Sequence, residues 1–96
     1  MMTVAMIQEA ITPVLKQHGV SKAVLFGSHA KGCARENSDV DLLVDSGLKG
    51  FAFTGLLEDL FVSLNKPVDV FDVTHINKGA EILKEIEETG VVVYEQ

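Results

Sequence analysis

Apolar positions along this chain recur with two periods, and the changes between them predict seven elements. Val4, Ile7, Ile11, Val14 and Leu15 fall at helical spacing, with Thr3 available as N-cap and Gly19 as terminator, which predicts a helix over roughly residues 3–18. Pro13 lies inside that run and is expected to kink or split it. Lys22 to Phe26 (KAVLF) is short, apolar and bounded by turn formers, and reads as a strand. Asp39-Val40-Asp41-Leu42-Leu43-Val44 reads as a second strand with charges at its start, followed by a loop from Asp45 to Gly50. Phe53, Leu56, Leu57, Leu60, Phe61 and Leu64 form the clearest helical stripe, and the stretch from Phe51 to Leu64 is most simply core. Pro67 opens a third strand, Val68 to Val73. Gly79 to Thr89 reads as the last helix, with Ile82, Leu83 and Ile86 inward and Glu81, Lys84, Glu85 and Glu88 outward. Gly90 ends it, and Val91 to Tyr94 forms a short strand whose edge, if exposed, would favour self-association.

The order α-β-β-α-β-α-β predicts an α/β (α+β) fold, a small mixed β-sheet with helices packed on it. About a dozen residues separate the first two strands, more than a hairpin turn and few for a full crossover. An antiparallel pair with a decorated loop is therefore expected. No repeat or linker interrupts the pattern, so residues 1–96 are expected to form one domain.

Composition narrows the function. Fourteen acidic residues against eight basic ones give a net charge of −6, so a fold-wide basic footprint is missing and direct nucleic-acid binding is not expected. The single Cys33 excludes an internal disulfide and a Cys-rich zinc site. No run approaches the roughly 18 apolar residues of a membrane span. The first ten residues carry Glu9 and lack a basic start, unlike a signal peptide. These features lead to the expectation of a soluble cytoplasmic protein without a membrane partner.

Candidate chemistry clusters in two places. Asp39 and Asp41 are two apart on a predicted strand, so both carboxylates leave the same face, roughly 6–7 Å apart along the chain. Such a pair repels unless a cation lies between, and hard oxygen ligands suit Mg²⁺ with phosphate oxygens completing its shell. Two solvated acids on an exposed edge are the commoner explanation of a bare Asp-x-Asp, so the pair alone is a weak signal. Asp69 interrupts the valine run Val68-Asp69-Val70 and calls for a partner, a metal being one candidate. Asp72 has the opposite parity and lies nearer the strand end, where solvation is easier, so Asp69 is the better candidate. Gly27-Ser28 directly follows a strand. There glycine permits close backbone approach, and the following amides with the Ser28 hydroxyl can donate to phosphate, although an ordinary turn has the same appearance. Lys31 and Arg35 place local positive charge in the same loop. His29 reads as an exposed loop histidine, His18 and His75 as isolated and structural or solvated, and Cys33 has no base to make it a nucleophile.

Phe26-Gly27-Ser28-His29-Ala30-Lys31-Gly32 followed by Asn37-Ser38-Asp39-Val40-Asp41-Leu42-Leu43-Val44 resembles the signature of the DNA polymerase beta-like nucleotidyltransferase superfamily. That signature is Gly-Ser, a spacer of about ten residues, and an apolar-flanked Asp-x-Asp. Ten residues separate Ser28 from Asp39. The short chain and the Val68-Asp69-Val70 strand narrow the resemblance to the minimal nucleotidyltransferases, which are often paired with a helical HEPN-domain toxin. The resemblance implies transfer of AMP from ATP, with Gly27 and Ser28 holding the triphosphate and the local charges of Lys31 and Arg35 as further candidates to bind it. It also implies that Asp39, Asp41 and Asp69 bind two Mg²⁺ ions, Asp69 helping to activate an acceptor hydroxyl. The family often has Arg-Ala-Arg-Gly where this chain has His29-Ala30-Lys31-Gly32, and Lys31 lacks arginine's bidentate fork.

The chain has no room for the acceptor-binding domain of larger relatives. The first expectation is therefore a protein adenylyltransferase that modifies a hydroxyl, in the relatives a tyrosine, of a HEPN-type toxin, with this chain as its antitoxin. The alternative is a non-catalytic antitoxin or binding module whose acidic surface complements a basic partner. The presence of all three carboxylates favours the enzyme.

Overall fold

The computed structural model describes residues 2–76 and 80–96. The first apolar run folds as α1 (Val4–Gln17), and Thr3 Oγ1 accepts from the Met6 amide at 3.1 Å as the predicted N-cap. Pro13 does not split the helix. Proline deprives the Glu9 carbonyl of its partner, but Pro13 and Glu9 both lie on the solvent-exposed side of the helix, where the loss is least costly. Ile7, Ile11 and Leu15 are fully buried and hold both halves of α1 to the core. Gly19 (φ +70°) ends it in a Schellman turn, in which Gly19 N–H reaches Lys16 O at 3.2 Å and Val20 N–H reaches Leu15 O at 3.0 Å.

The strands are β1 (Lys22–Phe26), β2 (Val40–Asp45), β3 (Val68–Asp72) and β4 (Val91–Glu95), in the spatial order β3-β2-β1-β4. As expected, β1 and β2 are antiparallel; β2 and β3 are parallel and β1 and β4 antiparallel, so the sheet is mixed. β2 starts one residue later than predicted, leaving Asp39 just ahead of it. A four-residue helix, α2 (Ser28–Lys31), occupies the β1–β2 connection, while α3 (Gly50–Leu64) joins the parallel pair. Val73 leaves β3 to begin a 3₁₀ turn, Val73–His75. The last helix, α4 (Glu81–Thr89), matches the predicted one except for its start at Gly79, which lies outside the described residues.

One sheet face carries the core. Ile7, Ile11 and Leu15 of α1 and Leu56, Leu60 and Leu64 of α3 repeat at i, i+4, i+8. They pack on Ala23, Leu25, Val40, Leu42, Val44 and Val93. His18 is not isolated, since its Nε2 lies 2.7 Å from Asp59 Oδ2 and links α1 to α3. His75 stands edge-on to Phe53, with ring centres 5.3 Å apart. The assignment of the whole Phe51–Leu64 stretch to core needs correction, because Phe51 is 96% exposed and Phe61 50% exposed. Both fall off the i, i+4 line of Leu56, Leu60 and Leu64. In α4, Ile82, Leu83 and Ile86 are only half-buried, because the helix packs on the opposite sheet face near β1 and leaves much of that face open.

Asp72 reverses a second expectation. It is fully buried, not solvated. Its Oδ2 accepts from the Ser46 amide (3.2 Å) and the Ser46 hydroxyl, and its Oδ1 from the Thr74 amide (3.0 Å) and hydroxyl (2.8 Å). Burial alone would raise its pKa, but donors from Ser46 and Thr74 outweigh it and hold the carboxyl below its ordinary value. Asp72 thus fastens the 45–50 loop and the 3₁₀ turn to the end of β3. No helix among the described residues is long and apolar enough to cross a membrane.

Candidate active site

The sheet face away from α1 and α3 carries the predicted carboxylates. Asp41 and Asp69 are register partners across β2 and β3. Partners on adjacent strands lie about 4.8 Å apart and point the same way, so the two carboxylates share this face. Asp39 enters from the residue before β2, and its charge acts on Asp41. On the same face Phe26, the register partner of Asp41 on β1, and Phe71 of β3 bring their rings to a centre separation of 6.0 Å across β2. This apolar floor beside Asp41 explains its environment. Burial first, then the charges of Asp69, Glu85 and Asp39, push its carboxyl up to about 6, with no hydrogen-bond donor opposing them among the described residues.

Gly27 meets this carboxylate directly. Its backbone (φ +77°, ψ −154°) lies in a region that essentially only glycine adopts. A Cβ there would overlap the Asp41 carboxylate. The residue therefore does two things for the chain: it turns sharply out of β1 and brings the start of α2 against Asp41. The first amides of α2, from Ser28 on, have no acceptor within the helix, and Ser28 is half-buried at this junction.

The remaining candidate residues lie at the surface. Lys31 and Arg35 are exposed, and neither is among the charges that act on Asp41. Lys31 lines a cleft of about 310 Å³ with Met2, Val4 and Ala34, which opens behind His29 rather than over the carboxylates. Arg35 sits in a turn whose amide binds Ser38 Oγ at 2.9 Å. Asp69 is exposed. Cys33 is exposed, its thiol 3.7 Å from the Ser28 carbonyl.

Near this site, His29 and Glu85 are more buried than expected. His29 is 3% exposed, not a solvent-facing loop histidine. Its Nδ1 lies 3.1 Å from the Asp39 carbonyl, and Lys66 Nζ lies 3.3 Å from its Nε2. Burial and then the Lys66 charge lower its pKa, only partly offset by the bond to Asp39. Glu85, expected to face outward, is half-buried and directs its charge at Asp41 from α4. Its position between Ile82 and Ile86, at the margin of the inward stripe, was the signal available in the sequence.

The donor set suits a hard divalent ion. Among the described residues no three acidic, imidazole or thiol groups converge closely enough to hold an ion unaided. Mg²⁺ does not require that, since it is commonly bound through one or two carboxylates, with water and substrate phosphates supplying the rest. The Asp41 carboxylate, crowded by negative charge and lacking a donor, fits the role of one such ligand.

Against known proteins, residues 9–96 match the family described as polymerase beta, nucleotidyltransferase. The chain is 37% identical over 79 residues to a provisionally named protein adenylyltransferase of Methanocaldococcus jannaschii, covering 79% of this chain and 84% of that protein. Its fold superposes with a TM-score of 0.74 on a provisionally named minimal nucleotidyltransferase, at 26% identity over 94% of this chain and 95% of the other. It also superposes, with a TM-score of 0.70 and 19% identity, on a complex of a tri-AMPylated HEPN toxin from Shewanella oneidensis with its MNT antitoxin. There it covers 98% of this chain and 74% of the matched one.

Proposed function

Since the chain belongs to the polymerase beta nucleotidyltransferase family, we propose that it transfers AMP from ATP to a tyrosine hydroxyl of a HEPN-type partner and acts as that toxin's antitoxin. The observation that carries the proposal is the contact between Gly27 and Asp41, which sets a glycine-serine loop against a carboxylate whose charge no group among the described residues neutralises. The 37%-identical relative named for protein adenylylation supports the reaction class, and the antitoxin of like fold in complex with an AMPylated toxin supports the partner.

In this reading Gly27 lets the triphosphate approach the backbone closely, and Ser28 donates from its amide and hydroxyl to phosphate oxygens. Lys31 and Arg35, exposed on the same loop, add positive charge there. Asp39 and Asp41 would hold Mg²⁺, and Asp69, beside Asp41 on the neighbouring strand, would complete a second site and take the acceptor's proton. Mg²⁺ held by these carboxylates would supply charge stabilisation to the attacking and leaving oxygens. The acceptor oxygen forms a bond to the α-phosphorus, the bond to the β-bridging oxygen breaks, and pyrophosphate leaves with the electron pair. The 1–96 chain acts in this as a single domain.

The test is labelling of a host lysate with ATP carrying the label at the α or the γ position, using wild type and Asp41→Asn. A protein band labelled only from the α position and only by wild type is expected. Equal labelling by Asp41→Asn would overturn the proposal.

A further inference from the structure

We propose that His29 is a positioning residue that holds Asp39 in place through its backbone. The inference rests on the reading of Asp39 as a metal ligand. The partners of the imidazole fix its chemistry. A carbonyl only accepts, so Nδ1, 3.1 Å from Asp39 O, carries the hydrogen. An ammonium only donates, so Nε2, 3.3 Å from Lys66 Nζ, presents its lone pair. Both contacts are satisfied by one neutral tautomer, buried at 3% exposure.

The bridge joins three segments. His29 belongs to α2, which begins at Ser28. Asp39 leads into β2, which carries Asp41. Lys66 precedes Pro67, whose carbonyl accepts from the Val40 amide at 3.1 Å and which leads into β3 with Asp69. One imidazole thus ties together the chain segments that bear each group of the proposed site. An arginine, frequent at this position in the family pattern, has no acceptor for Lys66 and cannot make this bridge. His29 touches neither substrate nor metal; it acts by limiting where the Asp39 backbone can move, as outer-shell partners of metal ligands do.

The experiment is Mn²⁺ titration of the full chain by calorimetry, with wild type, His29→Leu, His29→Asn and Asp41→Asn. Nitrogen–proton correlation spectra of the imidazole in wild type accompany it. Asparagine offers an N–H near the place of Nδ1–H, whereas leucine of similar size offers none. His29→Leu should weaken Mn²⁺ binding about tenfold or more, His29→Asn should stay within about threefold of wild type, and the spectra should show the Nδ1–H tautomer. Wild-type affinity in a folded His29→Leu, or any other protonation pattern, would overturn the inference while leaving the metal reading intact. Absence of Mn²⁺ binding by wild type, or unchanged binding by Asp41→Asn, would overturn the metal reading and this inference with it. Should His29→Leu fail to fold, the wild-type tautomer and the behaviour of His29→Asn decide the matter.

Discussion

Asp41→Asn removes a carboxylate that the metal-free fold tolerates at a cost, and the protein should gain stability from losing it. The carboxyl rises from its ordinary 3.8 to about 6 through burial and through Asp69, Glu85 and Asp39. That shift is equivalent to about 3 kcal/mol if undiminished. Asp41 is partly solvated, so screening reduces the figure to about 1 kcal/mol. A folded-state value above the unfolded one means that the native state binds the extra proton, so stability falls as pH rises from about 4 to about 6 and stays low beyond. Asparagine has no such dependence. Its advantage should be full at pH 7.5, roughly half as large at pH 5, and gone near pH 4. The assay is thermal and urea unfolding of both proteins with a chelator present. An increase of roughly 4–8 °C in Tm for Asp41→Asn at pH 7.5 is expected for a domain of this size. A loss of stability at pH 7.5, or a gain that does not shrink on acidification, would refute the reasoning.

Mn²⁺ or Mg²⁺ affinity should fall as pH drops through about 6, because Asp41 must lose its proton to bind; calorimetry in buffers of different ionisation enthalpy would register the released proton. Gly27→Ala should cost about 1–3 kcal/mol in urea unfolding from its backbone alone and abolish AMP transfer, since the new methyl displaces the Asp41 carboxylate. Asp72→Ala leaves the donors of Ser46 and Thr74 without an acceptor and should cost about 2–4 kcal/mol. Because the Asp72 pKa is lowered, its contribution is present above the ordinary carboxylate range and is lost as pH falls through the folded value, so wild type and Asp72→Ala should converge in acid. Phe51→Ser should change stability by less than about 0.5 kcal/mol, in contrast to Leu56→Ala, which empties a fully buried site and should cost about 2–5 kcal/mol.

What could be read from the chain was whatever depends on neighbours in sequence. The i, i+4 repeats of α1 and α3, the Thr3 cap and the Gly19 stop are local, and each was legible. The opposite parity of Asp69 and Asp72 followed from strand alternation alone, whereas Asp39 lies ahead of β2, where alternation does not place its side chain. Burial did not follow in the same way. Asp72 is held inside by Ser46, 26 residues away, and His29 by Lys66, 37 residues away, and no local pattern reports such partners. The prediction for Asp72 assumed that a strand end meets water, whereas the 45–50 loop folds over it with donors. Glu85 was missed because helical periodicity alone does not say that α4 crosses the carboxylate-bearing face.

The most direct measurement of the central claim is co-expression of this chain with a HEPN-type protein from the same source, followed by intact-mass and peptide analysis of that protein. The account predicts mass increments of whole AMP units, located on tyrosine, that vanish when Asp41→Asn replaces the wild type. A partner that binds the chain yet keeps its unmodified mass with wild type, under conditions where ATP and Mg²⁺ are plentiful, would contradict it and leave a binding module in place of the enzyme.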